Sequence, residues 1–380
     1  MVNRFMTEFS TILKCEYFPL CSGCQIQGEV SSPPIWREIK TFFKSIVPDL
    51  NLSEVTGWRT RSKLAARGTS IEPEIGLFKH GSHQVVSIPS CPLHHPSINI
   101  LYAKIKKVII ERKIDPYNEE NGTGILRYLQ FVVERKTARV QLALILNRRD
   151  RSMEEVVKQL YVKEGLHSVW LNFQSEQTNR IFGEEWLFCE GEPYLWETLG
   201  EAECAFHPAC FGQANLALFE KVLKQIREWV APNSRILELY AGVGVISLNL
   251  VSRAKEVVCV EINPYAFECF HLNRLKLNLD LQEKISMQII PSEQALSLID
   301  GKDVVIVDPP RKGLEPKVLE ALCQTNGLSQ LVYLSCGPIS FQRDCEKLLA
   351  CGWKLERLEG YLFFPGTNHV ELLGFFIKSP

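Results

Sequence analysis

The sequence predicts an α/β fold for its second half, preceded by an α+β domain. Three short apolar runs, at 236–239, 304–307 and 332–334, alternate with helical stretches in that second half. Each run ends at residues that are unusual inside a strand: a Gly-x-Gly, an Asp-Pro-Pro and a Ser-Cys-Gly-Pro. Ligands of open parallel sheets bind at the carboxyl ends of the strands. We therefore expect the three segments to meet in one crevice of a Rossmann-like sheet.

Length and composition narrow the class of protein. A chain of 380 residues is long enough for two domains. Apolar residues make up 46% and charged residues 23%, as in an ordinary soluble protein. No apolar run approaches about eighteen residues, and Met1–Leu13 lacks the apolar core of a signal peptide. We expect a cytoplasmic monomer without a membrane partner. The net charge of −1 means that any basic surface is local.

The first half has the pattern of an α+β domain. Helical periodicity after Pro33-Pro34 predicts a helix over 36–47, and a second helix is predicted over 153–164. Alternating and aromatic runs predict a mixed or antiparallel sheet, with strands at 126–134, 139–146 and 168–173. Arg59, Arg61 and Lys63 alternate and would share one face of a strand, which suits phosphate contacts or a solvated sheet face.

The second half begins between Phe206 and Gln213, and an amphipathic helix follows over 216–230. Alternating βα units favour a parallel sheet covered by helices on both faces. The predicted strands of this sheet are 236–240, 256–261, 285–290, 304–307, 331–334 and 353–358. A last pair of strands, 360–364 and 370–377, predicts an antiparallel hairpin at the sheet edge.

The Gly-x-Gly of Gly242 and Gly244 stands where a strand turns into a helix, so a cofactor can approach its backbone. Glu261 ends the next strand, about twenty residues on, where an acidic residue commonly binds ribose hydroxyls. The third glycine of the dinucleotide fingerprint is absent, because position 247 is Ser. This pattern favours S-adenosylmethionine over NAD, and its alternative is an ordinary turn with a surface Glu.

Two further segments carry chemistry at strand ends. The prolines after Asp308 fix an extended chain that can form one wall of a slot for a flat base, with Asp308 as acceptor at its entrance. Cys336 stands before Gly and Pro, where a helix N-terminus could lower the pKa of its thiol, so it is a candidate nucleophile. Cys259, Cys269, Cys323, Cys345 and Cys351 are expected to be buried structural thiols.

A carboxylate also enters the last strand. Glu371 is costly in an apolar strand unless it faces the site, which makes it a candidate general base. His369 lies nearer the preceding loop and is either a surface residue or a capping residue.

Thirteen cysteines without a secretory signal favour metal ligands or catalytic thiols over a disulfide framework. Cys15, Cys21 and Cys24 lie close together, and Cys91 precedes a proline. Three near thiols and one distant thiol are typical of iron–sulfur ligation, with a four-thiolate zinc site as the alternative.

Together these segments resemble the RNA (uracil-5-)-methyltransferase family over nearly the whole chain. Phe211-Gly-Gln213-Ala-Asn215, the Gly-x-Gly, Asp-Pro-Pro-Arg-x-Gly, Ser-Cys-x-Pro and His-Val-Glu occur in the family's order. The cysteine pattern is similar to that of members that carry a [4Fe–4S] cluster and methylate 23S ribosomal RNA. The chain departs from the family at Gly337, where the family usually has Asn.

The resemblance implies that Cys336 is the nucleophile, that Glu371 is the base, and that S-adenosylmethionine is bound by Gln213, Tyr240, Glu261 and Asp308. It implies an iron–sulfur and RNA-binding domain over 1–206 and a Rossmann-like methyltransferase domain over 207–380. It also implies that the segment 25–50 packs on the catalytic domain.

The expected reaction is methylation of uridine C5 in RNA through a covalent adduct between the cysteine and uracil C6. The expected RNA is 23S rRNA, with tRNA as an alternative. A methyltransferase that needs no thiol and a non-catalytic RNA-binding protein are the rival interpretations.

Overall fold

The computed structural model describes residues 10–44, 46 and 49–378. Val47, the last residue of the predicted helix 36–47, lies outside the described residues. So do the first nine residues, which belong to the segment Met1–Leu13 that was compared with a signal peptide. The nineteen strands of the described part are β1 Ile12–Leu13, β2 Gly28–Glu29, β3 Leu50–Asn51, β4 Arg61–Gly68, β5 Pro73–Phe78, β6 Val85–Ser87, β7 Leu126–Val133, β8 Val140–Leu146, β9 Ser168–Phe173, β10 Glu185–Gly191, β11 Leu195–Leu199, β12 Ala202–Phe206, β13 Arg235–Leu239, β14 Glu256–Glu261, β15 Ile285–Ile289, β16 Val304–Val307, β17 Gln330–Ser335, β18 Trp353–Tyr361 and β19 Glu371–Lys378.

The same part of the chain contains α-helices, which are α1 Pro34–Phe42, α2 Pro96–Glu111, α3 Ser152–Glu164, α4 Leu216–Trp229, α5 Val245–Leu250, α6 Pro264–Arg274, α7 Leu279–Lys284, α8 Pro316–Gln324 and α9 Pro338–Ala350. Two short 3₁₀ turns, Ser292–Gln294 and Leu296–Ile299, follow β15.

The chain folds into two compact units. Unit 1 holds the described residues up to Pro33 together with 53–193 and 365–368, and unit 2 holds 34–52, 194–364 and the residues from His369 onward. The main division falls after Pro193, earlier than the expected boundary at 206. The hairpin β11–β12 belongs to unit 2 because Leu199, Cys204 and Phe206 are buried in the core formed by α4, α5 and α6.

Unit 1 is built on a seven-stranded sheet in the order β10-β9-β8-β7-β4-β5-β6. Its neighbouring strands are antiparallel except β8 and β9, which are parallel. Helices α2 and α3 cover one face, where Leu101, Ile105 and Leu160 pack on Leu129 and Leu142. The predicted basic face is wrong in part, since β4 begins at Arg61 and Arg59 lies outside it in an isolated bridge with His94.

Unit 2 is a doubly wound sheet in the order β15-β14-β13-β16-β17-β19-β18-β3. The strands from β15 to β17 are parallel, and β19 runs antiparallel to both of its neighbours. Alternate strand residues enter two separate cores, such as Ile236 on the face of α4–α6 and Leu237 on the face of α1, α8 and α9. The predicted α/β sheet with helices on both faces is therefore confirmed.

The end of the sheet differs from the prediction. Residues 353–361 form one strand, β18, and β19 lies between β17 and β18 instead of at the edge. A register shift between Leu355 and Arg357 interrupts the alternation that the sequence shows. The strand continues through Gly360. A glycine is needed at this position because the ring of Trp36 packs 2.5 Å from where a Cβ would stand.

Two cysteines correct another expectation. Cys323 and Cys351 are half-buried and form a disulfide, since the ends of α8 and α9 bring their Cα atoms to 5.5 Å. Cys259, Cys269 and Cys345 are buried free thiols, as expected. Among the described residues, no helix combines the length and the apolar character that crossing a bilayer requires.

Candidate active site

The turn after β13 is built for a close approach to its backbone. Tyr240, Gly242 and Gly244 all have positive φ angles, of 61°, 55° and 81°. Such a conformation costs a residue with a side chain about 1–2 kcal/mol, and residues that keep it cluster at functional sites. Gly244 then begins α5 as its N-cap residue. The turn brings the backbone of Gly242 to the carboxyl edge of the sheet, where Gly242 lines a cavity.

Glu261 fixes this turn against the end of β14. Its Oε2 accepts the N–H of Gly242 at 2.8 Å, and its Oε1 accepts the N–H groups of Ile262 and Asn263 at 2.8 and 2.9 Å. A carboxylate oxygen has two lone-pair sites, so Oε2, which accepts one N–H group, can still accept a hydroxyl group of a ligand. The side chain of the next residue, Ile262, is 63% exposed and offers an apolar surface beside that carboxylate.

Buried acids surround the centre of the sheet edge. The pKa of Glu371 is raised to about 8, mainly by burial. The neighbouring Asp308 contributes to this rise, and Arg311 opposes it. Burial likewise raises the pKa of Asp308 to about 7. Glu238, on β13, has its pKa raised to about 8 by burial, although it accepts the N–H of Ser247 at 3.0 Å. The region therefore favours neutral carboxyl groups or a positively charged ligand.

Cys336 lies directly after β17, just before α9 begins. Its thiol is half-buried, and burial raises its pKa to about 11. Glu371 and Asp308 add to this shift, whereas Arg311 counteracts it. The predicted helix N-terminus is present, but desolvation and the two acids outweigh it. The free protein thus holds Cys336 as a protonated thiol at neutral pH.

One cavity of about 620 Å³ collects these groups. Small-molecule sites typically measure about 300–1,000 Å³. The predicted site residues of the second half all line it: Gln213, Tyr240, Gly242, Glu261, Asp308, Cys336 and Glu371. His369 is half-buried and is not part of the lining, so the cavity favours Glu371 over His369 as a functional residue.

The cavity also contains residues that the sequence did not single out. Tyr240 donates its hydroxyl to Glu315, which forms an ion pair with Lys312 at 3.0 Å. Phe211 is 71% exposed at the cavity lining. The short pattern Phe-Gly-Gln could have indicated Phe211, but nothing local in the sequence indicates that Glu315 reaches Tyr240.

The four N-terminal thiols lie together in unit 1. Cys15, Cys21, Cys24 and Cys91 line one cavity with Arg59. Burial raises the pKa of Cys24 to about 12, and the other three thiols add to the shift. Burial also lowers the pKa of Arg59, while the thiols oppose that change. Among the described residues, no three His, Cys, Asp or Glu side chains converge as the ligands of one metal ion would.

Comparison with known proteins begins with the fold. Residues 210–343 match a family model described as "Conserved hypothetical protein 95". The structure resembles the tRNA (uracil-54, C5)-methyltransferase of Pyrococcus abyssi, solved in complex with S-adenosyl-L-homocysteine, with a TM-score of 0.78. The two share 23% sequence identity over 94% of this chain and 86% of that one. This similarity defines the fold as that of a methyltransferase.

Similarity to sequences then defines the family. An uncharacterized RNA methyltransferase of Protochlamydia amoebophila is 44% identical over 96% of this chain and 97% of its own length. Another, from Geobacter sulfurreducens, is 30% identical over 85% of this chain and 66% of its own length. The chain belongs to this family of RNA methyltransferases, and the predicted enzyme class is confirmed.

Proposed function

We propose that this enzyme methylates C5 of uridine in RNA through a covalent adduct on Cys336. The observation that carries the proposal is the meeting of one thiol and one buried carboxyl group, Cys336 and Glu371, in a single cavity at the sheet edge. Methylation of a nucleobase nitrogen needs neither a nucleophilic thiol nor a second group that takes a proton from carbon. The pair of side chains therefore favours reaction at a carbon atom.

S-adenosylmethionine is the methyl donor that fits this cavity. Four carboxyl groups line it, from Glu261, Asp308, Glu315 and Glu371, against one arginine, Arg311. A cationic sulfonium is favoured by such an excess of acids. We assign the ribose hydroxyls to Glu261 and the peptide groups around Gly242. Gln213, Tyr240 and Asp308 complete the binding site. The exposed apolar side chain of Ile262 would lie beside the adenine ring.

The proposed reaction begins with Cys336. Its thiolate adds to uracil C6, and the electron pair of the C5–C6 double bond moves onto C5 and O4. S-adenosylmethionine supplies an electrophilic methyl group when it is bound. C5 takes that methyl group, and the donor sulfur keeps the electron pair of the broken bond. Glu371 then removes the proton from C5, the double bond forms again, and Cys336 leaves as a thiolate.

The protonation states set a condition on this sequence. In the free protein both Cys336 and Glu371 favour their protonated forms, with pKa values of about 11 and about 8. A bound sulfonium adds a positive charge to the cavity and lowers both pKa values. We therefore infer that methyl-donor binding precedes formation of the thiolate. The thiol loses its proton before attack and regains one when the methylated base and the spent donor leave, so each cycle releases one net proton, the one taken from C5.

The RNA substrate that we propose is 23S rRNA, because the cysteine pattern resembles that of family members that carry a [4Fe–4S] cluster and methylate this RNA. Cys15, Cys21, Cys24 and Cys91 would hold a [4Fe–4S] cluster, whose four thiolates stand apart around four irons. A four-thiolate zinc site is the alternative occupant, and it would lack the visible absorption of a cluster. Arg59 offsets the negative charge of the ligands. The cluster would cross-link separate segments of unit 1.

A methylation assay tests the proposal. Enzyme purified without oxygen is incubated with labelled S-adenosylmethionine and either unmodified 23S rRNA or unmodified tRNA, and labelled nucleosides are identified by mass spectrometry. We expect label in 5-methyluridine of 23S rRNA. Cys336→Ala should lose it, and Cys189→Ala, which changes a half-buried thiol outside both cavities, should keep it.

Three results would contradict parts of the proposal. Label only in tRNA would make 23S rRNA the wrong substrate. Label in a nucleoside other than 5-methyluridine would make the thiol mechanism wrong. Absence of label from both RNAs would contradict the proposed methylation reaction itself.

A further inference from the structure

A buried carboxylate on α9 joins three elements beside the cavity. Asp344 has no exposed surface, and its Oδ2 accepts the N–H of Leu314 at 2.9 Å and the hydroxyl of Tyr333 at 2.8 Å. Leu314 lies in the loop between β16 and α8, and Tyr333 lies on β17, shortly before Cys336. Burying a carboxylate is costly unless it is hydrogen-bonded in this way. Asp344 therefore links α9 to both the loop and the strand.

Two neighbours of Asp344 hold the same loop. Oγ of Ser340 lies 2.9 Å from the carbonyl oxygen of Arg311, and Nη2 of Arg343 donates to the carbonyl oxygen of Lys312 at 2.9 Å. Arg343 also donates to Oδ1 of Asp344, from Nε at 2.9 Å and from Nη2 at 2.7 Å. We call these three side chains of α9, Ser340, Arg343 and Asp344, the latch. All three contact backbone atoms, so the path of the loop itself is held against the helix.

Gly313 permits this close contact. Its φ is +82°, and its N–H donates to the carbonyl oxygen of Pro310 at 2.8 Å, which closes a turn. A Cβ atom on Gly313 would stand 2.5 Å from Oδ2 of Asp344 and 2.7 Å from Nη2 of Arg343. Contacts that short do not occur in a close-packed interior, so a larger residue would push the loop off the latch.

The latch connects two parts of the cavity lining. Pro309 and Pro310 line the cavity from the loop, and Cys336 lines it from the end of β17. Helix α9 begins two residues after Cys336, so the helix that carries the latch is continuous with the thiol loop. The rings of Pro309 and Pro310 restrict their backbone, and a shift of the loop would move them together.

We propose that Asp344 is a positioning residue, which sets the distance between the Pro309–Pro310 wall and the sulfur of Cys336. Asp344 is not among the described residues that line the cavity, so it acts through the loop. The assignment rests on the proposed function, because the uracil ring would lie between that wall and the sulfur. Sulfur and C6 react when they are about 3–3.5 Å apart, and a misplacement of about 1 Å can slow a reaction about 10²-fold.

Single-turnover methylation and calorimetric titration with S-adenosylmethionine test this role together. Asp344→Ala removes the acceptor of the Leu314 N–H, so we expect the single-turnover rate to fall by about 10–10²-fold. Affinity for S-adenosylmethionine should stay unchanged, because its proposed contacts at Gly242 and Glu261 lie in other segments. Asp344→Asn keeps an oxygen that can accept the N–H of Leu314, and it should retain most of the rate.

A second variant leaves the carboxylate in place. Gly313→Ala keeps all three side chains of the latch but displaces the loop, so we expect a slow single-turnover rate with unchanged affinity for S-adenosylmethionine. Gly301 is the matched control, since it precedes β16, is exposed, has φ of +72° and has no atom near its Cβ position. Gly301→Ala adds only backbone strain and should methylate at the wild-type rate.

Alkylation of Cys336 reports the position of the wall without RNA. Native enzyme is treated with iodoacetamide or with a bulky pyrene maleimide, and modification of the Cys336 peptide is followed by mass spectrometry. Both reagents attack the thiolate, so the ratio of their rates cancels any change in the thiol pKa. The ratio of the bulky to the small reagent should rise severalfold in Asp344→Ala and Gly313→Ala. It should stay at the wild-type value in Asp344→Asn and Gly301→Ala.

A wild-type single-turnover rate in Asp344→Ala would overturn the proposal, and so would equal rates in Gly313→Ala and Gly301→Ala. A loss of affinity for S-adenosylmethionine as large as the loss of rate would show general damage to the site and would also overturn it. If the wild-type enzyme methylates neither RNA, the proposed function fails and the alkylation ratio decides alone. A raised ratio in Asp344→Ala and Gly313→Ala would then keep the latch, and an unchanged ratio would refute it.

Discussion

The two cavities of this protein hold opposite chemistry. The cavity of unit 1 is lined by four thiols and one arginine, with no carboxyl group among its described lining residues. The cavity of unit 2 is lined by four carboxyl groups, one thiol and one arginine. Both favour a positively charged occupant. Thiolates favour a soft metal centre, whereas carboxylates around an apolar slot favour an organic cation.

The cavities also differ in how the chain builds them. Most functional residues of unit 2 lie at the carboxyl ends of parallel strands or, like Glu371, at the start of the antiparallel β19, so a single sheet edge aligns them. Three thiols of unit 1 lie on one irregular segment, and the fourth, Cys91, lies far from them in sequence. Residues 365–368 belong to the same unit, and the N–H of Asn368 donates to Oε1 of Gln25, 343 residues away. We infer that the cavity of unit 2 is preformed and that the cavity of unit 1 depends on its occupant.

Removing one thiol from unit 1 should have the largest effect. Cys24→Ser removes one of the four proposed cluster ligands, so we expect complete loss of the visible absorption of the proposed cluster and a lower unfolding temperature for enzyme purified without oxygen. Cys189→Ser alters a thiol of the same unit that does not line the cavity, and it should retain both. Equal absorption in Cys24→Ser and wild type would rule out this residue as a ligand.

Glu371→Gln should separate the two halves of the reaction in unit 2. The amide cannot take the C5 proton, so methyl transfer proceeds while breakdown of the adduct slows by about 10²–10⁴-fold. We expect a stable complex of protein and RNA on denaturing gels, with the methyl label in it. Adding Cys336→Ala should remove the complex. Turnover at the wild-type rate in Glu371→Gln would exclude the carboxylate as the base.

A glycine of unit 1 provides a third test. Gly366 has φ of +87°, and a Cβ there would stand 2.6 Å from Leu13 and 3.2 Å from Sγ of Cys24. Its carbonyl oxygen also accepts the N–H groups of Gln25 and Ile26 at 2.8 and 2.9 Å. We expect Gly366→Ala to cost about 2–4 kcal/mol of stability, from backbone strain and the collision together.

Gly81 is the matched control for that glycine, because it has φ of +68° in an exposed turn with no atom near its Cβ position. Gly81→Ala should cost only the strain, about 1–2 kcal/mol. Denaturant unfolding followed by far-ultraviolet circular dichroism measures both variants. Equal losses for the two would mean that Gly366 does not need its open space.

The sequence could predict the unit 2 site because chemistry there follows strand ends. The residues of the cavity that it missed depend on pairing across the fold. Glu315 matters through its hydrogen bond to Tyr240, 75 residues away. The prediction divides strand β18 just before Gly360, whereas the structure continues the strand through this glycine to Tyr361. The local sequence pattern thus predicts the secondary-structure elements and the sheet edge that carries the site. The roles of the remaining site residues depend on long-range contacts.

The buried acids of unit 2 predict how stability varies with pH. Folding raises the pKa of Glu371 from an ordinary 4.5 to about 8. The folded state therefore keeps a proton that the unfolded state releases, and this contribution to stability is complete below pH 4.5 and is lost as pH rises towards 8. Glu238 and Asp308 act in the same direction.

We expect the unfolding free energy of wild type to fall between pH 5 and pH 8, and Glu371→Gln to remove about 1–2 kcal/mol of that fall. Urea unfolding at both pH values measures the difference. A steeper fall in the variant than in wild type would contradict the raised pKa of Glu371.

The smallest expected effect concerns the hydroxyl of Tyr240. Tyr240→Phe keeps the ring and the backbone turn but removes the hydrogen bond to Glu315, which retains Lys312 as a partner. One hydrogen bond beside a partly exposed carboxylate contributes about 0.5–1 kcal/mol, so affinity for S-adenosylmethionine should fall by about two- to fivefold in calorimetric titration. Tyr361→Phe is the control, because Tyr361 makes an equivalent bond to Glu359 at 2.7 Å outside the cavity lining. If both variants lose the same affinity, the effect is a general loss of stability in unit 2. If only Tyr240→Phe does, the wall formed by Tyr240 and Glu315 orients the cofactor.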